Sequence, residues 1–267
     1  MRPITDAEFT RFQRFIFDQA GITLSASKQA LVAGRLGKRV DHHGLASFGD
    51  YFKLLASGDA QEEVQVATDL LTTNETYFFR ETKHFDFLRE QAQAARSGGQ
   101  PYRVWSAASS SGEEAYSMAM VLADCLPGGN FEVLGTDIST QVLQNAARSL
   151  YTMERARHVP ADYLRRFCLK GTGDYAGRVL MGPQLRSRVK FGQVNLNAPL
   201  PAIGPFDMVF LRNVMIYFND DTKRSVIARV VSTLKPGGYF CIGHSESLHG
   251  LCDSLQTVAP SIYRSPL

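Results

Sequence analysis

The chain has 267 residues, 44% of them hydrophobic and 21% charged, with a net charge of +3. That composition excludes disordered and fibrous classes and suffices for one large domain or two ordinary ones. So small a positive balance does not demand a nucleic acid partner, and the placement of charge matters more than its sum. The opening Met1-Arg2-Pro3-Ile4-Thr5-Asp6 lacks the apolar stretch of a secretion signal. Apolar runs such as Met208-Val209-Phe210-Leu211 are too short to cross a bilayer, so no membrane insertion is expected. The cysteines Cys125, Cys168, Cys241 and Cys252 form no Cys-x-x-Cys pair and lie near no histidine at metal-ligand spacing. Free thiols in a reducing cytoplasm, and no metal site, are the expectation.

From Thr5 to about Phe87 the pattern is helical. Thr5 or Asp6 can cap a first helix with apolar positions Phe9, Phe12, Ile16 and Phe17. Ser25 can cap a second, in which Leu31, Val32 and Leu36 make the apolar face while Lys28, Arg35, Lys38 and Arg39 share the other. Ser47 opens a third through Tyr51, Phe52, Leu54 and Leu55, and Glu62 to Leu71 gives a fourth. After the turn signal Gly98-Gly99-Gln100-Pro101 strands alternate with helices. Strands are predicted at Tyr102 to Ser106, Phe131 to Thr136, Val189 to Gln193, Phe206 to Leu211 and Tyr239 to Ile242. Helices are predicted at Gly112 to Leu126, Thr140 to Leu150 and Asp220 to Leu234, and Leu255 to Arg264 supplies a last edge strand. This alternation predicts an α/β fold, a mostly parallel sheet with helices on both faces. Gly171 to Gly177 interrupts it as a glycine-rich turn between short strands, a small β insertion at about 168–192. The domains are therefore placed at 1–88, all α, and 89–267, α/β.

Ligands of open α/β sheets sit at the carboxyl ends of the strands, where strand order reverses. The first strand runs into Ser106-Ala107-Ala108-Ser109-Ser110-Ser111-Gly112-Glu113-Glu114. Its small residues suit either a close backbone approach to a ligand or a plain structural turn; it is not the Gly-x-Gly-x-x-Gly dinucleotide fingerprint. Asp137 ends the second strand, 25 positions after Gly112. It either binds the two ribose hydroxyls of an adenosyl group or caps the next helix, a task Ser139 or Thr140 can take instead. Leu234-Lys235-Pro236-Gly237-Gly238 resembles the loop before the fifth strand of Rossmann-like, class I methyltransferases, and with Asp137 and Phe206-Asp207 it favours a methyltransferase over a dehydrogenase. Tyr217 is either a site residue or, like Phe218, part of a buried aromatic pair. His244 belongs to a loop after the fifth strand, within reach of the cofactor region or simply structural.

Seven stretches together resemble the chemotaxis receptor methyltransferase family, CheR. They are Thr72-Thr73-Asn74-Glu75-Thr76-Tyr77-Phe78-Phe79-Arg80, Trp105-Ser106-Ala107-Ala108, Ser111-Gly112-Glu113-Glu114, Thr136-Asp137-Ile138, Val194-Asn195-Leu196, Arg212 to Phe218, and Leu234 to Gly238 running on to His244-Ser245-Glu246. The resemblance implies S-adenosylmethionine as methyl donor, S-adenosylhomocysteine as product, and glutamate side chains on the cytoplasmic domain of chemoreceptors as acceptors. It implies a cofactor site of Asn74, Thr76, Arg80, Glu114, Asp137, Asn195, Leu196, Arg212 and Asn213, with Arg80 and Tyr217 lining the place of transfer.

A glutamate, with a reference pKa of about 4.3, is ionised at neutral pH and needs no general base to attack a sulfonium methyl. The resemblance also gives the basic face of Lys28, Arg35, Lys38 and Arg39 a docking role, and gives the β insertion a receptor C-terminal peptide to grip by strand addition. A monomer is expected. Two rival functions remain: a class I methyltransferase with another substrate, and a non-catalytic adenosylmethionine sensor. The missing Pro-Pro motif of DNA adenine methyltransferases and the modest charge speak against nucleic acid.

Overall fold

Thr5 starts the first helix by a reciprocal cap: its hydroxyl accepts from Glu8 N–H while the Glu8 carboxylate accepts from Thr5 N–H. The computed structural model describes residues 3–95, 99–128 and 130–267. Met1 and Arg2 of the opening segment, and Gly98 of the expected turn, lie outside the described residues. The chain divides into two compact units, Met1–Thr73 with Tyr217–Lys223, and Asn74–Ile216 with Arg224–Leu267.

The first unit packs four helices, α1 (Asp6–Ala20), α2 (Gln29–His42), α3 (Phe48–Ala56) and α4 (Gln61–Leu71). Apolar residues at helical spacing build its core, with Phe9, Phe12, Ile16, Val32, Leu36, Phe48, Tyr51 and Leu71 buried. Phe17, expected on the apolar face, is 39% exposed; Ala20 closes that face instead. Ser25 precedes a 3-10 turn, Ala26–Lys28, rather than capping α2 with its side chain, whereas the Ser47 hydroxyl does cap α3 by accepting from Asp50 N–H. One buried carboxylate ties the bundle together. Glu63 accepts from Tyr51 Oη at 2.6 Å and from Arg39 Nε at 2.8 Å, and faces His43 Nε2 at 3.0 Å. Burial alone would raise its pKa, but these donors outweigh it and hold the carboxyl at about 2. Ile22 pairs in a single antiparallel bridge with Phe218, and Thr23 N–H donates to Tyr217 O.

The second unit begins with α5 (Lys83–Ala94), followed by β1 (Tyr102–Ser106), α6 (Glu113–Cys125), β2 (Phe131–Asp137), α7 (Thr140–Arg148), β3 (Leu150–Thr152) and α8 (Ala161–Phe167). Then come β4 (Cys168–Lys170), β5 (Arg178–Met181), α9 (Pro183–Arg186), β6 (Val189–Gln193), β7 (Phe206–Leu211), α10 (Asp220–Val231, which belongs to this unit from Arg224 on), β8 (Leu234–Ile242), β9 (Gln256–Ala259) and β10 (Ile262–Arg264). The main sheet has the order β6-β2-β1-β7-β8-β10-β9, and order reverses at β1. From β6 to β8 the pairings are parallel; β10 runs antiparallel to both neighbours. The expected last strand is thus a hairpin, and Leu234 to Gly238 is already paired as the start of β8.

Sequence places the domain boundary at residue 88, but the units divide between Thr73 and Asn74. The reason is α5, whose Phe85, Leu88 and Ala92 share one core with Ala115, Met118, Ala119 and Leu122 of α6. The β insertion is a separate three-stranded sheet, β3-β5-β4. It starts earlier than 168 because Leu150, Tyr151 and Thr152, taken from sequence as a helix end and a loop, pair with Leu180, Val179 and Arg178. At its other end Val189–Gln193 belongs to the main sheet.

Candidate active site

The turn from β1 to α6 is shaped by two left-handed residues, Ser110 at φ 49° and Gly112 at φ 93°. A Cβ on Gly112 would lie 2.9 Å from both Ala146 Cβ and Tyr151 Oη, so glycine is required by close packing as well as by backbone angle. The turn is fastened to the neighbouring strands. Trp105, fully buried and stacked on Phe206, donates from Nε1 to Thr136 Oγ1 at 2.9 Å. Ser109 N–H donates to Thr136 O. Asp137, 7% exposed at the end of β2, accepts from Ser110 N–H at 2.9 Å and from Ser139 N–H at 3.0 Å. Ser139, not Asp137, caps α7. The Asp137 carboxylate is thereby fixed at the carboxyl edge of the sheet, beside the point of strand reversal. Val194 N–H bonds Asp137 O, which brings Asn195 and Leu196 to the same edge.

Behind this turn lies a buried ionic cluster. The Arg212 guanidinium, with a side chain 1% exposed at the end of β7, donates to Glu114 Oε2 at 2.8 Å, to Glu81 Oε2 at 2.9 Å and to Arg80 O. It also sits over the rings of Phe85 and Phe210. Ser106 Oγ donates to Glu114 Oε1 at 2.6 Å. Burial raises the Glu114 carboxyl above its ordinary value, with Arg212 opposing. Burial also works to raise Glu81, but Arg212 and the donors of His244 and Asn213 outweigh it and lower the net value. Asn213, left-handed at φ 57°, donates from its N–H to Glu246 Oε2 at 2.9 Å and from Nδ2 to Glu81 Oε1 at 3.3 Å. Glu246 also accepts from Gly243 N–H and Met215 N–H, so one carboxylate latches the loops after β7 and β8. A Cβ on Gly243 would meet Asn213 Nδ2 at 2.5 Å, which explains the glycine there.

The structure therefore gathers Arg80, Glu114, Asp137, Asn195, Leu196, Arg212 and Asn213 around the carboxyl ends of β1, β2, β6 and β7. Asn74 joins them through its carbonyl, which accepts from Ser110 Oγ at 2.9 Å; Thr76 is half-buried in the run that follows. Arg80 lies with its guanidinium over the exposed ring of Tyr77 and donates to Glu75 O at 3.2 Å. Tyr217 belongs to the first unit. The basic face splits: Lys28 and Lys38 are exposed, while Arg35 donates to Leu71 O and Thr72 O and Arg39 binds Glu63. Glu81 and Glu246 were not singled out from sequence. Glu81 had only its adjacency to Arg80 to mark it, while Glu246 stood in the His244-Ser245-Glu246 stretch of the resemblance without a role of its own.

A parallel sheet reversing at β1, an acid at the end of β2 and a small-residue turn before α6 define an S-adenosylmethionine-binding methyltransferase of the class I fold. Residues 74–263 match the CheR methyltransferase SAM binding domain, and residues 7–72 match the CheR methyltransferase all-alpha domain. The chain is 41% identical to a chemotaxis protein methyltransferase of Klebsiella aerogenes over 98% of its own length and 90% of that protein. It is 42% identical to the chemotaxis protein methyltransferase of Escherichia coli strain K12, over 93% and 87%. With chemotaxis protein methyltransferase 2 of Pseudomonas aeruginosa it shares 38%, over 97% and 93%. The chain belongs to the CheR methyltransferase family.

Proposed function

We propose that the chain transfers a methyl group from S-adenosylmethionine to glutamate side chains of chemotaxis receptors, in the cytoplasm and as a monomer. One observation carries the choice of a carboxylate acceptor. Among the described residues no carboxylate pairs with the Arg80 guanidinium, which makes a single hydrogen bond and rests on an exposed aromatic ring. That fixed cation suits an incoming carboxylate.

The residues present fit the methyl donor. Asp137, oriented by two backbone N–H groups at the end of β2, presents a carboxylate of the kind that takes ribose hydroxyls. The Asn74, Thr76, Asn195 and Leu196 segments frame the same edge, while Arg212 and Asn213 hold the wall behind it. The donor supplies a methyl carried on a sulfonium. An ionised glutamate oxygen would take that methyl, a C–O bond replacing the S–C bond, whose electron pair would stay on sulfur. Opposite charges are annihilated, so the chain contributes positioning and exclusion of water rather than proton transfer. Arg80 orients the acceptor.

Lys28 and Lys38 provide exposed charge for docking acidic receptor helices, reinforced by the half-exposed Arg35 and Arg39. The three-stranded β3-β5-β4 sheet offers its β4 edge to a receptor C-terminal peptide, beside the exposed Leu169 and Tyr175. Labelled methyl transfer to chemoreceptors from the same cell tests the reading. A base-labile ester on glutamate is expected. Cofactor binding without transfer would make the chain a sensor, and label on another molecule would make it a different methyltransferase.

A further inference from the structure

Three side chains outside the cofactor edge converge below the loop after β8. Glu81, His84 and His244 present ligand atoms that all lie within 4.8 Å of one another. His84 Nδ1 is 3.5 Å from Glu81 Oε2, and His244 Nε2 is 3.8 Å from the same oxygen. The three residues come from the turn before α5, from α5 itself and from the loop after β8, so the fold, not local sequence, brings them together.

The tautomer of His84 follows from its other nitrogen. Ser261 Oγ donates its only proton to Pro260 O at 2.6 Å, so at 2.8 Å His84 Nε2 is the donor to Ser261 Oγ. Nδ1 then carries a bare lone pair. It is fully buried, makes no hydrogen bond, and faces a carboxylate oxygen. Two lone-pair groups turned towards each other in a dry place are stabilised by a cation between them.

We propose that Glu81, His84 and His244 bind a divalent first-row transition metal such as Zn2+. Two imidazole nitrogens and one carboxylate oxygen are the donor set such ions take, with remaining positions left to solvent. The Ser261 hydroxyl acts behind the site by fixing the His84 tautomer. His244 also lines a cavity of ≈ 470 Å³, together with Lys83, Asp86, Glu246 and Ser261. Arg212 shares Glu81 Oε2 and opposes a further positive charge, but Glu81 and Glu114 flank that one arginine with two carboxylates.

The full chain, titrated with Zn2+ by calorimetry, is expected to take up one ion, and the His84 ring signals in NMR are expected to shift with it. His244→Ala, at an exposed position, should fold normally and bind at least about tenfold more weakly. Ser261→Ala should weaken binding while leaving stoichiometry unchanged. No saturable uptake, uptake untouched by His244→Ala, or His84 signals that stay fixed would each overturn the proposal.

Discussion

The roles proposed for Arg80, orienting the acceptor, and for Asp137, holding the donor, are separable by substitution. Arg80→Ala is expected to lower turnover about 100-fold, the usual cost of losing one positioned charged donor, with the melting temperature nearly unchanged. Arg80→Lys should recover little, because an ammonium lacks the planar fork. Steady-state methyl transfer beside thermal unfolding checks both. Asp137→Asn should instead weaken S-adenosylhomocysteine binding by about 10- to 100-fold in calorimetry, the loss of hydrogen bonds to a charged acceptor. Both residues were legible in sequence because each ends a recognisable run. Glu81 and Glu246 were not, since their roles arise from loops that meet only in the folded chain.

Among the elements, strands bounded by turn signals were readable: β1, β6 and β7 fall where the pattern puts them. The three-residue β3 was not, because it follows α7 directly and its pairing partner lies across the insertion. Helix α5 straddles the boundary expected at residue 88, and its core with α6 places it in the second unit. The face of α2 carries a further lesson. Spacing puts four cations on one side, but α4 claims two of them for its carboxylate and its C-terminal carbonyls. Charge reversal of Lys28 and Lys38 should therefore weaken receptor association and flatten its salt dependence without altering thermal stability. Association measured at two ionic strengths distinguishes this from a passive solvated face.

Each unit of the molecule contains an acid-sensitive tie. In the first it is Glu63; in the second, Asp124 joins Arg89, Arg166 and Tyr163, and these donors overcome burial to hold its carboxyl at about 2. Both folded values lie below the ordinary 4.5 and 3.8. Their contribution is thus complete above the unfolded pKa and disappears as pH falls towards 2. Thermal unfolding should weaken steadily below about pH 4.5, and Glu63→Gln with Asp124→Asn should blunt that slope. At neutral pH Glu63→Gln alone should cost about 2–3 kcal/mol in denaturant unfolding, since Arg39 would lose its buried counter-ion.

Because Phe218 bridges Ile22, the helical unit is completed by a piece of chain that lies far downstream. During synthesis the four helices emerge early yet stand unfinished until that late segment clears the ribosome. A fragment stopped at Thr73 should accordingly melt earlier than the same helices within the whole chain. The order of translation and the order of folding are out of step, and Tyr217 and Phe218 arrive with the last stitch.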